Sequence, residues 1–156
     1  MTAHSAQIHE RYMCRALELA ELAAASGEVP VGALIVVEQS VVGVGRNSPI
    51  RDNDPTAHAE IIALRAAAAH GGNYRIPGAT LYVTLEPCQM CAGAMIHARI
   101  EHLVYAAADP RTGAAGSAID ILGAAHNNHR PTVTGGVLAA ASAALLQEFF
   151  TARRSA

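Results

Sequence analysis

Apolar positions near the start of the chain recur at helical spacing. Ile8, Tyr12, Arg15 or Ala16, Leu19 and Ala23 trace one stripe, which Met13, Leu17 and Ala20 widen. This predicts a helix from Ser5 to Ser26 that stops at Gly27. The pattern then changes. Val29 to Val37 (VPVGALIVV) is a nearly unbroken β-branched run, as expected of a strand covered on both faces. Glu38–Gln39–Ser40 reads as a turn and Val41 to Asn47 as a returning strand, giving a hairpin with a three-residue loop. Ser48 to Thr56 holds two prolines and two aspartates and reads as a loop. A helix is predicted from Ala57 to His70, with Thr56 as its N-cap and Gly71–Gly72 as its end. Ala79 to Leu85 follows as a strand, Cys88 to Ala98 as a helix opened by Pro87, and Glu101 to Ala106 as a further strand. Beyond a glycine-bearing loop lie a short helix from Ser117 to Leu122, an irregular stretch, a brief strand from Thr132 to Thr134, and a last helix from Val137 to Arg154. Strand and helix alternate, which implies an α/β fold of three layers with helices on both faces of the sheet. No repeat, low-complexity tract or linker breaks the pattern, so residues 1–156 are expected to form one domain.

Composition changes this picture little. The chain is 51% hydrophobic, but Glu18, Glu21, Arg65 and Arg99 break its apolar runs short of the ~18 residues that a membrane-spanning helix needs. The N-terminus lacks a basic region followed by an apolar core, so no signal peptide is read and a cytoplasmic protein is expected. Net charge is −2 and all eleven cations are arginine, which argues against coating nucleic acid by bulk electrostatics. Three cysteines are an odd number, better read as two ligands and one spare thiol than as a disulfide framework. The spare thiol, Cys14, stands beside Met13 and Leu17 in the first helix and is expected to be ordinary core.

The candidate chemistry lies between Asp54 and Met95. His58 precedes Glu60 by two residues, and Cys88 and Cys91 form a C-x-x-C pair 30 residues further on. Spacing of i, i+3 at a helix start brings both sulfurs to one face, where unpaired N–H groups and the helix dipole favour thiolates. One imidazole and two thiolates make three zinc ligands and leave the fourth position to water, the count of a catalytic rather than a structural zinc. Two thiolates weaken the metal as a Lewis acid, so the water needs a base. Glu60 is the carboxylate on offer, taking a proton from zinc-activated water and returning protons to a ring nitrogen and to departing ammonia. In a regular helix Glu60 would point about 200° away from His58, so the first turn is expected to depart from helical geometry. C-x-x-C alone would serve a redox pair or a structural half-site as well. Together, H-x-E and P-C-x-x-C form the signature of zinc-dependent nucleobase deaminases.

Wider segments carry a resemblance. EVPVGA (Glu28 to Ala33), DPTAHAEI (Asp54 to Ile61), NYR (Asn73 to Arg75), ATLYVTLEPC (Ala79 to Cys88), MCAGAMIHARI (Met90 to Ile100), TGAAGS (Thr112 to Ser117) and NHR (Asn128 to Arg130) are similar to the bacterial tRNA-specific adenosine deaminase family, a type case of enzymes that take a base out of its stack. The similarity runs from Tyr12 to Arg154. It implies the cytidine deaminase-like fold, α/β/α with a mixed sheet of about five strands and helices on both faces. It further implies hydrolytic deamination of adenosine to inosine at the wobble position of a tRNA anticodon. One Zn2+ per subunit would sit on His58, Cys88 and Cys91, with Glu60 as the catalytic proton shuttle. By the same resemblance Asn47 would hydrogen-bond the purine, Val29 and Pro30 would wall the base pocket, and Asp109 would accept from the ribose 2′-OH. Phe149 and Phe150 would stack on or near a base and Arg153 and Arg154 would meet phosphate, with His126 to Arg130 as a second RNA edge. The partners implied are the tRNA anticodon stem-loop and a second copy in a homodimer joined through Ala92 to Ile100, with no membrane. The zinc signature is also shared by deaminases of free guanine or cytosine. A zinc-stabilised RNA-binding module would keep the ligands but not need Glu60. Both alternatives stay open at this point.

Overall fold

The computed structural model describes residues 1–155. Its elements run α1 (Ala3–Ala25), β1 (Gly32–Val37), β2 (Ser40–Arg46), α2 (Pro49–Asp52), α3 (Ala59–Gly71), β3 (Thr80–Leu85), α4 (Gln89–Ala98), β4 (His102–Ala107), β5 (Thr132–Thr134) and α5 (Ala139–Arg154). The strands form one sheet in the order β2-β1-β3-β4-β5. β1 pairs antiparallel with both β2 and β3, while β3, β4 and β5 run parallel. The sheet is therefore mixed, with α4 as the crossover between β3 and β4.

Strand alternation divides the core. Ala33, Ile35, Leu81, Val83 and Leu103 face α3 and α4, meeting Ala59, Ala63, Ala92 and Met95. Leu34, Val36, Tyr82 and Val104 face the other way, onto Tyr12, Met13 and Ala16 of α1. α3 rests on β2 at backbone distance because two strand residues have no side chain. A Cβ on Gly45 would stand 2.2 Å from the Ala59 carbonyl oxygen, and one on Gly43 would stand 2.4 Å from that of Ala63. Only glycine fits beneath this helix.

Several sequence expectations need correction. β1 begins at Gly32, three residues later than its apolar run. The hairpin loop has two residues, not three: Glu38 and Gln39 both take left-handed φ (49° and 66°), the type I′ geometry that suits strand twist. The predicted loop between Ser48 and Thr56 contains the single helical turn α2. Ser117 to Leu122 is not helical. It forms turns around an isolated bridge between Ala115 and Asp120, with Gly116 at φ +124° and the Ser117 amide and hydroxyl both donating to Glu86. Cys14 is exposed, not core. It lies two helical steps, about 200°, from Tyr12, on the face opposite the buried stripe.

Candidate active site

Two helices meet at their N-termini with no capping side chain of their own. α3 begins at Ala59, not Ala57, and its N-cap is His58 rather than Thr56, with extended backbone at φ −73° and ψ 151°. α4 begins at Gln89 with Cys88 as N-cap, also extended. Neither His58 nor Cys88 spends its side chain on capping, so both are free for other work. Asn47, at the end of β2, substitutes on α3: its amide oxygen accepts the Ala59 N–H at 2.9 Å. Cys91 lies in the first turn of α4 and is fully buried.

The extended backbone at His58 removes the angular obstacle seen in the sequence. His58 has left the helix, so the helical angle to Glu60 no longer applies, and both residues line one cavity. His58 Nδ1 lies 3.7 Å from Cys88 Sγ and 3.5 Å from Cys91 Sγ, and the three donor atoms are all within 4.8 Å of one another. With Zn–S near 2.3 Å and Zn–N near 2.1 Å, a tetrahedral centre requires about 3.6 Å between nitrogen and sulfur. The donor chemistry and its spacing fit zinc.

The electrostatics are consistent with such a cluster. The hydrogen bond with Cys91 is the largest influence on the Cys88 thiol and, with the His58 contact, brings it down to about 4 against the effect of burial. The same bond and burial push Cys91 up. Burial also pushes the Glu60 carboxyl above the ordinary carboxylate range, opposed by a backbone hydrogen bond and by His58. A carboxyl only 4% exposed and raised in this way is suited to holding and passing a proton.

The cavity over these groups has a volume of about 270 Å³ and is lined also by Val29, Val31, Asn47, Pro49, Leu85, Glu86, Asp109 and Thr112. Asn47 Nδ2 has no hydrogen-bond partner among the described residues and is left to donate. Val29 lines the cavity but Pro30 does not; Pro30 is fully buried. The Asp109 carboxylate accepts the Arg111 and Thr112 amides and the Thr112 hydroxyl, so it shapes its own turn while it stands at the cavity. Phe150 lines a second cavity that shares Val29, Leu85 and Asp109. Phe149 lines neither cavity: it packs edge-on to Phe150 and lies under the Arg153 guanidinium at 4.9 Å. Arg153 donates to the Gly27 carbonyl, tying α5 back to the segment that carries Val29. In the stretch from His126 to Arg130, Asn127 bonds the Ile121 and Leu122 carbonyls, His129 the Ile100 carbonyl and Arg130 the Ala125 carbonyl, while His126, Asn128 and Arg130 remain exposed.

Comparison with known proteins adds the family. A model of the MafB19-like deaminases matches residues 7–154. The chain belongs to the MafB19-like deaminase family. The chain is 50% identical over 149 residues to the tRNA-specific adenosine deaminase of Haemophilus influenzae, covering 95% of this chain and 86% of that protein. A solved structure from work on A-to-I editing by tRNA:A34 deaminases superposes with a TM-score of 0.82 at 44% identity, over 84% of this chain and 95% of the other. A guanine deaminase from Nitrosomonas europaea superposes with a TM-score of 0.72 at 28% identity, over 91% and 84% of the two chains. The layered mixed sheet is the cytidine deaminase-like fold of these neighbours, and the family is zinc-dependent.

Sequence reasoning passed over two buried acids, Glu28 and Glu86, each 2% exposed. Both accept only from the described backbone and a serine: Glu28 from the Ile50 and Arg51 amides, and Glu86 from the Asp109, Ala115 and Ser117 amides and the Ser117 hydroxyl. A signal was present. An acid closes the apolar strand LYVTLE with no basic residue near it in the sequence.

Proposed function

We propose that this chain is an enzyme that hydrolytically deaminates adenosine to inosine at the wobble position of a tRNA anticodon. The observation that carries the reading is Glu60, a buried carboxyl at the same cavity as His58 and Cys88, in a chain half identical to a tRNA-specific adenosine deaminase. A metal-stabilised binding module has no use for a raised carboxyl beside its metal ligands. His58 Nδ1 and the Cys88 and Cys91 sulfurs would hold zinc, which would supply a Lewis acid to activate water. Glu60 takes a proton from the attacking water and delivers protons to the purine ring nitrogen and the departing ammonia. The free Asn47 Nδ2 donates to an acceptor on the purine, which a side-chain amide can do while its oxygen caps α3. Val29 and Leu85 cover the base with apolar surface, Asp109 and Thr112 stand at the sugar, and Phe150 takes a neighbouring base.

Residues 1–156 act as one deaminase domain, working in the cytoplasm as a homodimer. Supporting the dimer, α4 presents small residues outward, and Gly93 has no heavy atom within 4 Å of its Cβ position. No helix among the described residues is long and apolar enough to cross a membrane.

The second reading, deamination of a free base, draws on the likeness to a guanine deaminase. One assay separates them. The zinc-loaded protein is given an anticodon stem-loop with adenosine at the wobble position and, separately, free adenosine, guanine and cytosine. Inosine in the stem-loop alone is the expected result. Turnover of guanine or cytosine alone would overturn it in favour of the second reading.

A further inference from the structure

Glu86 has no part in the chemistry above, yet it borders the same cavity as Glu60 and the fold buries it. It is 2% exposed, and no arginine, histidine or lysine forms an ion pair with it among the described residues. Burying a carboxylate without a cation is costly unless hydrogen bonds satisfy its oxygens. Here they do, and all of them come from one segment. Oε1 accepts the Asp109 amide at 3.1 Å and the Ser117 hydroxyl; Oε2 accepts the Ala115 amide at 3.0 Å and the Ser117 amide at 3.1 Å. The backbone passes directly over the carboxyl group at Gly113, where a Cβ would stand 2.5 Å from the Glu86 carboxyl carbon.

The segment so held is 109–117. It contains no helix and no ladder strand beyond one isolated bridge; besides its own turn bonds, it is anchored to the end of β3 by this acceptor and by the Ala114 amide on the Pro87 carbonyl. It also supplies the side of the site that faces the substrate. Asp109 and Thr112 line the cavity over His58 and Glu60, and Arg111 and Thr112 line an adjoining cavity of about 420 Å³ that also touches His58 and Cys88. The acceptor sits at the end of β3, two residues before the metal-binding Cys88. One short stretch, Glu86 to Cys88, therefore carries both the acceptor for the mouth of the cavity and one of the three metal-ligand candidates.

We propose that Glu86 is a positioning residue that sets the mouth of the base cavity, its carboxylate holding residues 109–117 so that Asp109 and Thr112 stand against the substrate nucleotide. The inference rests on the deaminase reading and adds to it a residue that acts through others. The carboxylate form matters because it is acceptor-only, with about four lone-pair sites for four donors. Glutamine has the same size but one acceptor oxygen, and its NH2 group would face N–H donors.

The test compares wild type, Glu86→Gln and Ser117→Ala as zinc-loaded proteins. Zinc content, amide hydrogen exchange, and kcat and KM on the anticodon stem-loop are measured for each. In Glu86→Gln, KM is expected to rise by about tenfold or more, the factor that one displaced hydrogen-bonding group commands. kcat should stay within about threefold, because the reacting atoms are untouched. Exchange at Ala115 and Ser117 should accelerate while the β3 and β4 amides stay protected. Ser117→Ala, which removes one of the four donors, should move KM the same way by a smaller factor. An unchanged KM in zinc-replete Glu86→Gln overturns the proposal. So does loss of zinc with faster exchange throughout the sheet, which marks a merely structural role. If wild type leaves the stem-loop unreacted, the deaminase reading fails and the inference with it, whatever the exchange shows.

Discussion

The floor of the site and its rim are built in different ways. The floor consists of His58, Glu60, Cys88 and Cys91, all on or beside the first turns of α3 and α4. Its geometry comes from regular backbone: two helices placed on a sheet, one of them pressed onto glycines at Gly43 and Gly45. The rim consists of Val29, Asn47, Pro49, Asp109, Thr112 and Phe150, most of them on irregular chain. Its geometry comes from side-chain acceptors that seize backbone amides, Glu28 on the 50–51 turn and Glu86 on the 109–117 segment. A floor made of helices and strands is over-determined by packing, whereas a rim made of loops is only as firm as the few groups that hold it. Damage to the floor should therefore abolish chemistry, and damage to the rim should loosen substrate binding while chemistry survives.

The largest effect is expected from the metal ligands. Cys91→Ala leaves two donors, and we expect zinc to be lost on dialysis and inosine formation with it, as read by metal analysis beside the stem-loop assay. Next comes the packing under the floor. In Gly45→Val the new side chain must displace the start of α3, at a cost of about 1–3 kcal/mol of stability and with weaker zinc binding. Gly71→Ala, at the free end of the same helix with no heavy atom within 4 Å, should instead raise stability by about 0.5 kcal/mol. Thermal melts of the two variants should move in opposite directions. Asn47→Ala lies where floor and rim join: it removes the surrogate cap of α3, worth about 1 kcal/mol, and also a donor to the substrate. Both melting temperature and KM should respond, without loss of zinc.

The smallest effect lies away from the site. His9 donates to or accepts from the Tyr82 hydroxyl at 2.9 Å and stands edge-on to His102, their ring centres 5.5 Å apart. Burial holds both histidines below the ordinary 6.5; the neighbouring His9 adds to the effect on His102, and Glu101 opposes it. The unfolded chain then takes up protons first as pH falls past 6.5. This contribution to stability is full above that value and is lost as pH falls through the lower folded-state values. Melting temperature should be lower at about pH 5 than at about pH 7.5. A His9→Gln/His102→Gln double variant should show a smaller difference, and an unchanged difference would remove these residues as its source.

The same contrast explains what could be read in the sequence. The floor was legible because metal chemistry fixes residue type and helix periodicity fixes spacing. The His58, Cys88 and Cys91 donor atoms lie within 4.8 Å of one another, Glu60 shares a cavity with His58 and Cys88, and the alternating elements assemble into the mixed sheet. The position of the α3 start was not legible. Thr56 has the composition of an N-cap, but its amide and hydroxyl both donate to Asp54, forming a turn that delivers His58 to the cap. Histidine is no capping residue, and nothing local says that Asn47, from a different strand, supplies the missing acceptor. The rim was legible only where resemblance pointed to it. Bonds between Glu86 and residues 109–117, or Glu28 and residues 50–51, join distant parts of the chain and leave no period. Cys14 was misplaced because the buried stripe of α1 runs through Tyr12, Met13, Ala16 and Ala20, each about 100° or more around the helix from it, and Leu17, one turn on, is itself only half-buried.

The central claim is that Glu60 moves the proton at a zinc site that it does not itself hold together. Glu60→Ala tests this most directly, with bound zinc and single-turnover inosine formation in the anticodon stem-loop measured on the same sample. The account predicts one zinc per chain, as in wild type, and a rate lower by about 10²–10⁴-fold, the range for loss of a positioned general acid–base group. A zinc-replete variant that keeps its rate, or one that fails because its zinc is gone, would contradict it.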